Sequence, residues 1–455
     1  MKQVFLTLML TSTMVYAQSV KEKLDAATKS LMNSSQAMAS NLSFYVADDA
    51  ENVVYDYQGS KGLSSASTQK IFTAAAALEI LGPNFRYETK IGSNGKVEGG
   101  VLKGDLIIQS NGDPTLGSWR YEGYKPVDFL RKVTDQVKKV GVYAIEGHIF
   151  IDDTLYDAQS IPGGWPWDDL GNYYGAGIWG VNWRENQFDI KIRGDQFQEF
   201  SYPLEGVSWV NQLSVGGNSD QSLVFTAPWS EVAYINGQLP AGKTTTVSGA
   251  TPNPPLQLGV EVKQALEEQG ISIRGKVKTG YGLVLKGEKP PVLNTTWYTY
   301  ESPTLDKIVY WFMRKSVNLY GEAMLKSIAF KKTGKSDFIK GIQVLKDFWK
   351  SKGIPSQMIN FADGSGLSPQ NYVSAKAEVL ALQYAKKQSW FKAFYEGFPV
   401  QGNGMKMKSG TMRDTKSYAG YHKSKDGKTY TFGILINNYP GNGGEALQTV
   451  LNALK

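Results

Sequence analysis

Apolar and polar positions divide this chain into stretches of different rhythm. Near the start, Val20, Leu24, Ala27 and Leu31 recur at helical spacing among charged residues, which predicts one amphipathic helix. "LSFYVADD" (42–49) and "NVVYDYQ" (52–58) alternate in twos and predict a hairpin. The run from Ile71 to Leu81 has almost no polar face, so it reads as a helix buried on most sides, stopped by Gly82-Pro83. From about 90 to 290 strand signals dominate: alternation, Asn-Gly and Gly-Asp turns, and Thr runs, with a hairpin expected over "IRGKVKTGYGLVLKG" (273–287). Helical periodicity returns in "TLDKIVYWFMRKS" (304–316) and "LYGEAMLKSIAFKK" (319–332). The end reads as three strands and a helix: "MKMKSGTM" (405–412), "SYAGYHK" (417–423), an Asp426-Gly427 turn, "TYTFGILIN" (429–437) and "GGEALQTVLNALK" (443–455).

These rhythms predict an α/β (α+β) chain whose two ends meet in one domain, a sheet covered by helices, built from residues 18–89 and 293–455. A mostly-β inserted domain is expected over 90–180 and 258–292, with a second one nested inside it over 181–257. The aromatic stretch "GGWPWDDLGNYYGAGIWG" (163–180) reads first as an interdomain core and second as a platform for a sugar.

Composition narrows the chemistry. The chain has 455 residues, no cysteine, and only two histidines, His148 and His422. Cysteine catalysis and a zinc site with paired His ligands are excluded. A Ser-His-Asp triad would need one of the two histidines beside a G-x-S-x-G elbow, and neither has one. Lys2, an apolar stretch over Val4–Leu10 and Val15-Tyr16-Ala17 read as an export signal over residues 1–17, cleaved before Gln18, which places the mature chain in the periplasm with no membrane anchor. The formal charge of +7 comes without a nucleic-acid-binding motif, so no nucleic-acid partner is expected.

If the chain is a serine hydrolase, its base is a lysine. In "SASTQK" (65–70) Ser67 and Lys70 are three apart at the mouth of the apolar helix, so they would share a face. As a bare pattern the pair also reads as a capping serine and a lysine whose stem lies along apolar surface, and Ser93–Lys96 and Ser389–Lys392 share the spacing. Ser-Lys mechanisms add an S-x-N and a K-[ST]-G cluster. Ser316-Val317-Asn318 supplies the first, in the turn between two predicted helices. For the second there are three candidates: Lys278-Thr279-Gly280, Lys332-Thr333-Gly334 and Lys408-Ser409-Gly410. Gly334 reads as a helix C-cap, and Lys278 lies ahead of S-x-N in the chain. Lys408, on a predicted sheet strand, is the choice that makes a coherent cleft.

Together "ASTQK" (66–70), "GDLIIQSNGDPTL" (104–116), "DGSGLSPQNYVS" (363–374), "KSGT" (408–411) and "YAGY" (418–421) resemble the class C low-molecular-mass penicillin-binding proteins, the serine D-alanyl-D-alanine carboxypeptidases and endopeptidases. The wide first gap, from Ser67 to Ser316, resembles that family, in which extra domains are inserted there. The resemblance implies a transpeptidase-like domain and a role in cell wall remodelling. Its partners would be peptidoglycan stem peptides, with β-lactam antibiotics as inhibitors, and it implies no cofactor or metal. It further implies these roles: Ser67 as nucleophile, Lys70 as its base, Ser316 as proton relay, and Asn318 as a holder of Lys70 and of the substrate amide. Lys408, Ser409 and Thr411 would bind the terminal carboxylate, with Gly410 in the same box, and the N–H groups of Ser67 and Thr411 would form the oxyanion hole. Asp153 would meet a cationic branch of the peptide. Two positions depart from the family: Val317 where Asp is common, and Pro369 where Arg is frequent. A β-lactamase and a penicillin-binding sensor without turnover stand as alternatives.

Overall fold

The computed structural model describes residues 18–425 and 427–455. The predicted signal over 1–17, and Asp426 of the predicted turn, lie outside the described residues. Among the described residues no helix is long and apolar enough to cross a membrane.

Both chain ends build one antiparallel five-stranded sheet. Its strands are β1 (Asn41–Asp48), β2 (Val53–Tyr57), β3 (Lys406–Met412), β4 (Thr415–Lys423) and β5 (Thr429–Asn437), in the order β2-β1-β5-β4-β3. Helix α1 (Val20–Met32) covers one face, held at its start by a Ser19/Glu22 capping box. Leu42, Phe44 and Val46 point to that side with Phe432, Ile434 and Ile436. The alternate residues Tyr45, Ala47 and Leu435 join the core on the other side. With both faces covered, β5 is buried along almost its whole length, which is why it reads as an unbroken apolar run.

The second core gathers α2 (Lys70–Leu81), α3 (Leu305–Arg314), α4 (Asn318–Thr333), α5 (Phe338–Ser351) and α6 (Ala375–Lys386). Every residue of α2 from Lys70 to Leu78 is buried, as its missing polar face predicts, and Gly82 ends it at φ +90°. Gly334 ends α4 in the left-handed region, as its C-cap reading requires. One edge of the sheet is β3, whose free side faces the turn before α2.

Between the two ends lies a mixed five-stranded sheet, ordered Val277–Thr279, Ile149–Asp152, Leu106–Ser110, Glu88–Ser93 and Thr295–Glu301. Two helices the strand reading did not name, Pro126–Lys139 and Pro254–Glu268, pack on it through Phe129, Val133, Leu258 and Val262. The hairpin expected over 273–287 does not form. Val277–Thr279 pairs in parallel with Ile149–Ile151, and Thr279 then caps a short helix, Gly280–Val284, by accepting the Gly282 N–H. Residues 187–250 are all strand and turn, two three-stranded sheets closed on Phe188, Ile190, Val224 and Ile235.

Candidate active site

Ser67 lies in a 3-10 turn, Ala66–Gln69, that runs into α2. The turn is set by Ala66 in the left-handed region, φ +45°, and by Thr68, whose N–H and hydroxyl both donate to the Ser65 carbonyl. The capping-serine reading of Ser67 therefore does not hold. Ser67 does not cap α2, because its hydroxyl meets a lysine.

That lysine is Lys70. Its Nζ donates to Ser67 Oγ at 3.0 Å, to Asn318 Oδ1 at 2.6 Å and to the Ser365 carbonyl at 2.6 Å. Its side chain is fully buried, and burial pulls its pKa from 10.5 to about 7 against the opposing pull of the nearby Asp363 and Glu322 carboxyls. Asn318 reaches it because it opens α4, at the turn that follows α3. The residue two before it, Ser316, is held in the left-handed region at φ +58°, a conformation that costs a non-glycine residue energy and aims its hydroxyl. Ser316 Oγ accepts from Lys408 Nζ at 3.0 Å. Lys408 is buried, and burial, then the charges of Lys70 and Lys416, push it well below its ordinary value.

Strand β3 reaches this close because residue 410 is glycine. A Cβ there would stand 2.3 Å from the Ser65 carbonyl oxygen and 2.9 Å from Ser67 N. Thr411 and Ser409 follow the strand, Thr411 exposed and accepting from Lys416 at 2.6 Å. So the structure brings Ser67, Lys70, Asn318, Ser316 and Lys408 into one cleft, with residues 409–411 on its wall. Lys278 sits instead in the mixed sheet, and Lys332 at the far end of α4.

Asp153 makes no hydrogen bond with these five cleft residues. It is 1% exposed, and its carboxylate accepts the Tyr281 N–H at 3.0 Å, at the start of the short helix Gly280–Val284. Burial raises its pKa to about 6.

Two stretches that the sequence singled out without assigning them a site role supply neighbours of the cleft. The Asp363 carboxylate accepts from Gly366 N, Ser368 N, Asn371 and Trp165, which folds "DGSGLS" into a tight loop and turns the Ser365 carbonyl to Lys70. Pro369 is exposed beyond it. The Tyr174 carbonyl accepts from Asn318 at 2.8 Å, so the aromatic stretch forms a wall of the cleft. Within it Trp165 and Trp179 are buried, as an interdomain core requires, whereas Trp167 and Tyr173 are about half exposed.

The D-Ala-D-Ala carboxypeptidase 3 (S13) family matches residues 21–455. The chain is 26% identical to D-alanyl-D-alanine carboxypeptidase DacB of Haemophilus influenzae, over 88% of this chain and 86% of that one. It is 27% identical to the D-alanyl-D-alanine carboxypeptidase of Actinomadura sp. (strain R39), over 88% and 75%. Its fold matches the crystal structure of penicillin binding protein 4 (dacB) from Haemophilus influenzae with a TM-score of 0.77 at 22% identity, covering 94% of this chain and 98% of that one. The chain belongs to the D-Ala-D-Ala carboxypeptidase 3 (S13) family, and so to the class C low-molecular-mass penicillin-binding proteins that its boxes resemble.

Proposed function

We propose that this serine-type D-Ala-D-Ala carboxypeptidase works on peptidoglycan stem peptides through an acyl-enzyme on Ser67. The observation that carries this reading is the 3.0 Å contact of Lys70 with Ser67 in a setting that strips the amine of charge. A free lysine is almost wholly protonated at neutral pH, whereas an amine titrating near 7 is about half free base there. The neutral amine would take the Ser67 proton as Oγ attacks the carbonyl of the penultimate D-Ala. Ser67 N and Thr411 N would donate to the developing oxyanion. Ser316, between Lys408 and the cleft, would pass a proton to the departing amine. Lys408, Ser409 and Thr411 would take the terminal carboxylate, whose negative charge relieves the crowding of Lys408 with Lys70 and Lys416. Water would then free the acyl group. A β-lactam would acylate the same serine. Asp153, with one carboxylate oxygen held by the Tyr281 N–H, would meet a cationic branch of the peptide with the other. We place the mature protein in the periplasm, and divide it as the two ends (18–89, 293–455), an outer insertion (90–180, 258–292) and a nested one (181–257).

The test uses exported protein, whose mass should begin at Gln18. Wild type should release D-Ala repeatedly from a D-Ala-D-Ala peptide and label with a fluorescent penicillin. Ser67→Ala should do neither. A single acylation with no release would favour the sensor, and rapid turnover of the penicillin itself the β-lactamase. Labelling that survives Ser67→Ala would sink the reading.

A further inference from the structure

Glu322 lies one turn after Asn318 on α4 and is fully buried. Its Oε2 accepts the Gly364 N–H at 2.9 Å. Gly364 is the middle of Asp363-Gly364-Ser365, and the Ser365 carbonyl is one of the three acceptors of Lys70 Nζ. On its other side, the Gly364 carbonyl accepts from Thr73 Oγ1 at 2.7 Å, on the helix that carries Lys70. The contact between α4 and this loop is backbone on backbone: a Cβ on Gly364 would stand 2.4 Å from the Gly321 carbonyl oxygen. Glu322 is thus the side chain that ties the loop to α4 at the point where the loop meets the base.

The charge on Glu322 follows from its surroundings. Burial outweighs the Ser365 hydroxyl and the Gly364 N–H, both of which favour its charged form. A carboxylate enclosed this completely is costly to ionise. The charged groups around it are Lys70 on α2, Asp363 in the loop and Lys326 one turn further along α4. Lys326 is already paired with Asp157 at 2.6 Å, and Lys70 is itself close to neutral. Burial first, then the charge of Asp363, raises the pKa of Glu322 to about 8.

Resting on the reading of Ser67 and Lys70 given above, we propose that Glu322 is a positioning residue for that couple: as a neutral carboxylic acid it holds Gly364, and through the next peptide the Ser365 carbonyl, against Lys70. The neutral form matters because an anion at this place would raise the proton affinity of Lys70 and withhold the free base from Ser67. Between about pH 7 and 8 Lys70 is free base while Glu322 is still neutral; above that Glu322 ionises and raises the proton affinity of Lys70.

Glutamine is the neutral isostere of this acid, and that makes the test decisive. Acylation by a fluorescent penicillin is followed from pH 6 to 10 in wild type, Glu322→Gln and Glu322→Ala, with melting temperatures alongside. Glu322→Gln should keep acylation within about threefold of wild type at pH 7, outpace it most near pH 8, where Glu322 ionises and Lys70 can still hold a proton, and converge with it again towards pH 10. Glu322→Ala, which leaves the Gly364 N–H without its acceptor, should lose at least roughly tenfold, with the glutamine variant restoring that loss. A Gln-to-wild-type ratio that stays constant across the range, or a glutamine variant as slow as the alanine one, overturns the neutral role. If alanine does not fold, the pH dependence of that ratio decides alone. Wild type that never labels, or Ser67→Ala that does, refutes the Ser67 reading instead, so the two failures are distinct.

Discussion

At the scale of single residues the site depends on one lysine losing its charge. Lys70 has ordinary chemistry until it is enclosed; burial then brings it to about 7. A group whose protonated form is inactive gives activity that rises with pH through its pKa. Acylation of Ser67 should therefore fall about tenfold per pH unit below about 7 and level off between about 7 and 8, before Glu322 ionises. The rate of covalent labelling against pH checks this, and a rate flat from pH 5 to 7 would contradict it. Lys408 is depressed by the same burial, yet its role differs because Ser316, and not Ser67, accepts from it. Two lysines that look alike in composition are thus separated by the acceptor each one meets.

At the scale of elements, helix ends do the positioning. The junction of α3 and α4 brings Ser316 and Asn318 to opposite lysines, and the 3-10 turn before α2 lifts Ser67 out of the buried helix. The far end of α4 and the start of α5 have no such duty. Asp337 caps α5 by accepting the Lys340 N–H at 2.7 Å. Asp337→Ala should cost about 1 kcal/mol, seen as a lower melting temperature, with penicillin labelling unchanged. Lys332→Ala, in the triplet that closes α4, should change neither. Lost labelling in either variant would mean that this end of α4 communicates with the cleft. The boxes themselves were legible in the sequence because each is a run of adjacent residues: "ASTQK", "SVN" and "KSGT" all stand at the cleft. Glu322 and Lys416 were not legible. A glutamate within a helix and a lysine within a strand look like surface residues until the chain folds over them.

At the scale of the molecule, the inserted segments are fastened to the catalytic helices by buried polar contacts. Arg184, Glu185 and Asn186 are three successive residues in the left-handed region, φ +54°, +52° and +53°. This rare turn buries Glu185, which accepts from Arg120 at 3.0 Å and from the Tyr320 hydroxyl at 2.7 Å. Tyr320 is two residues after Asn318 on α4. Glu185→Ala would leave Arg120, itself mostly buried, without its partner, at a cost of about 3–5 kcal/mol. The expected result is a clear drop in melting temperature together with slower acylation, because the anchor of α4 is loosened next to Asn318. A drop in melting temperature with full-rate labelling would show that the insertion stabilises the fold without setting the site.

The sequence by itself determined the family, the three boxes and the elements that carry them, because local periodicity, caps and short contiguous motifs need no distant partner to be read. The amphipathic face of α1, the buried run of α2 and the final strands all follow from spacing alone. Tertiary structure decided what depends on residues far apart in the chain. It chose Lys408 among three triplets as the one that meets Ser316, gave the Asp153 carboxylate the Tyr281 N–H, and made Tyr174 and Ser365 carbonyls part of the cleft. It also placed two helices in the stretch read as strand, where helix faces are buried against a sheet assembled from distant segments. The physical reason is common to all of these. Burial and a partner's charge, which set the protonation and aim of each group, are properties of the folded neighbourhood and not of the adjacent residues.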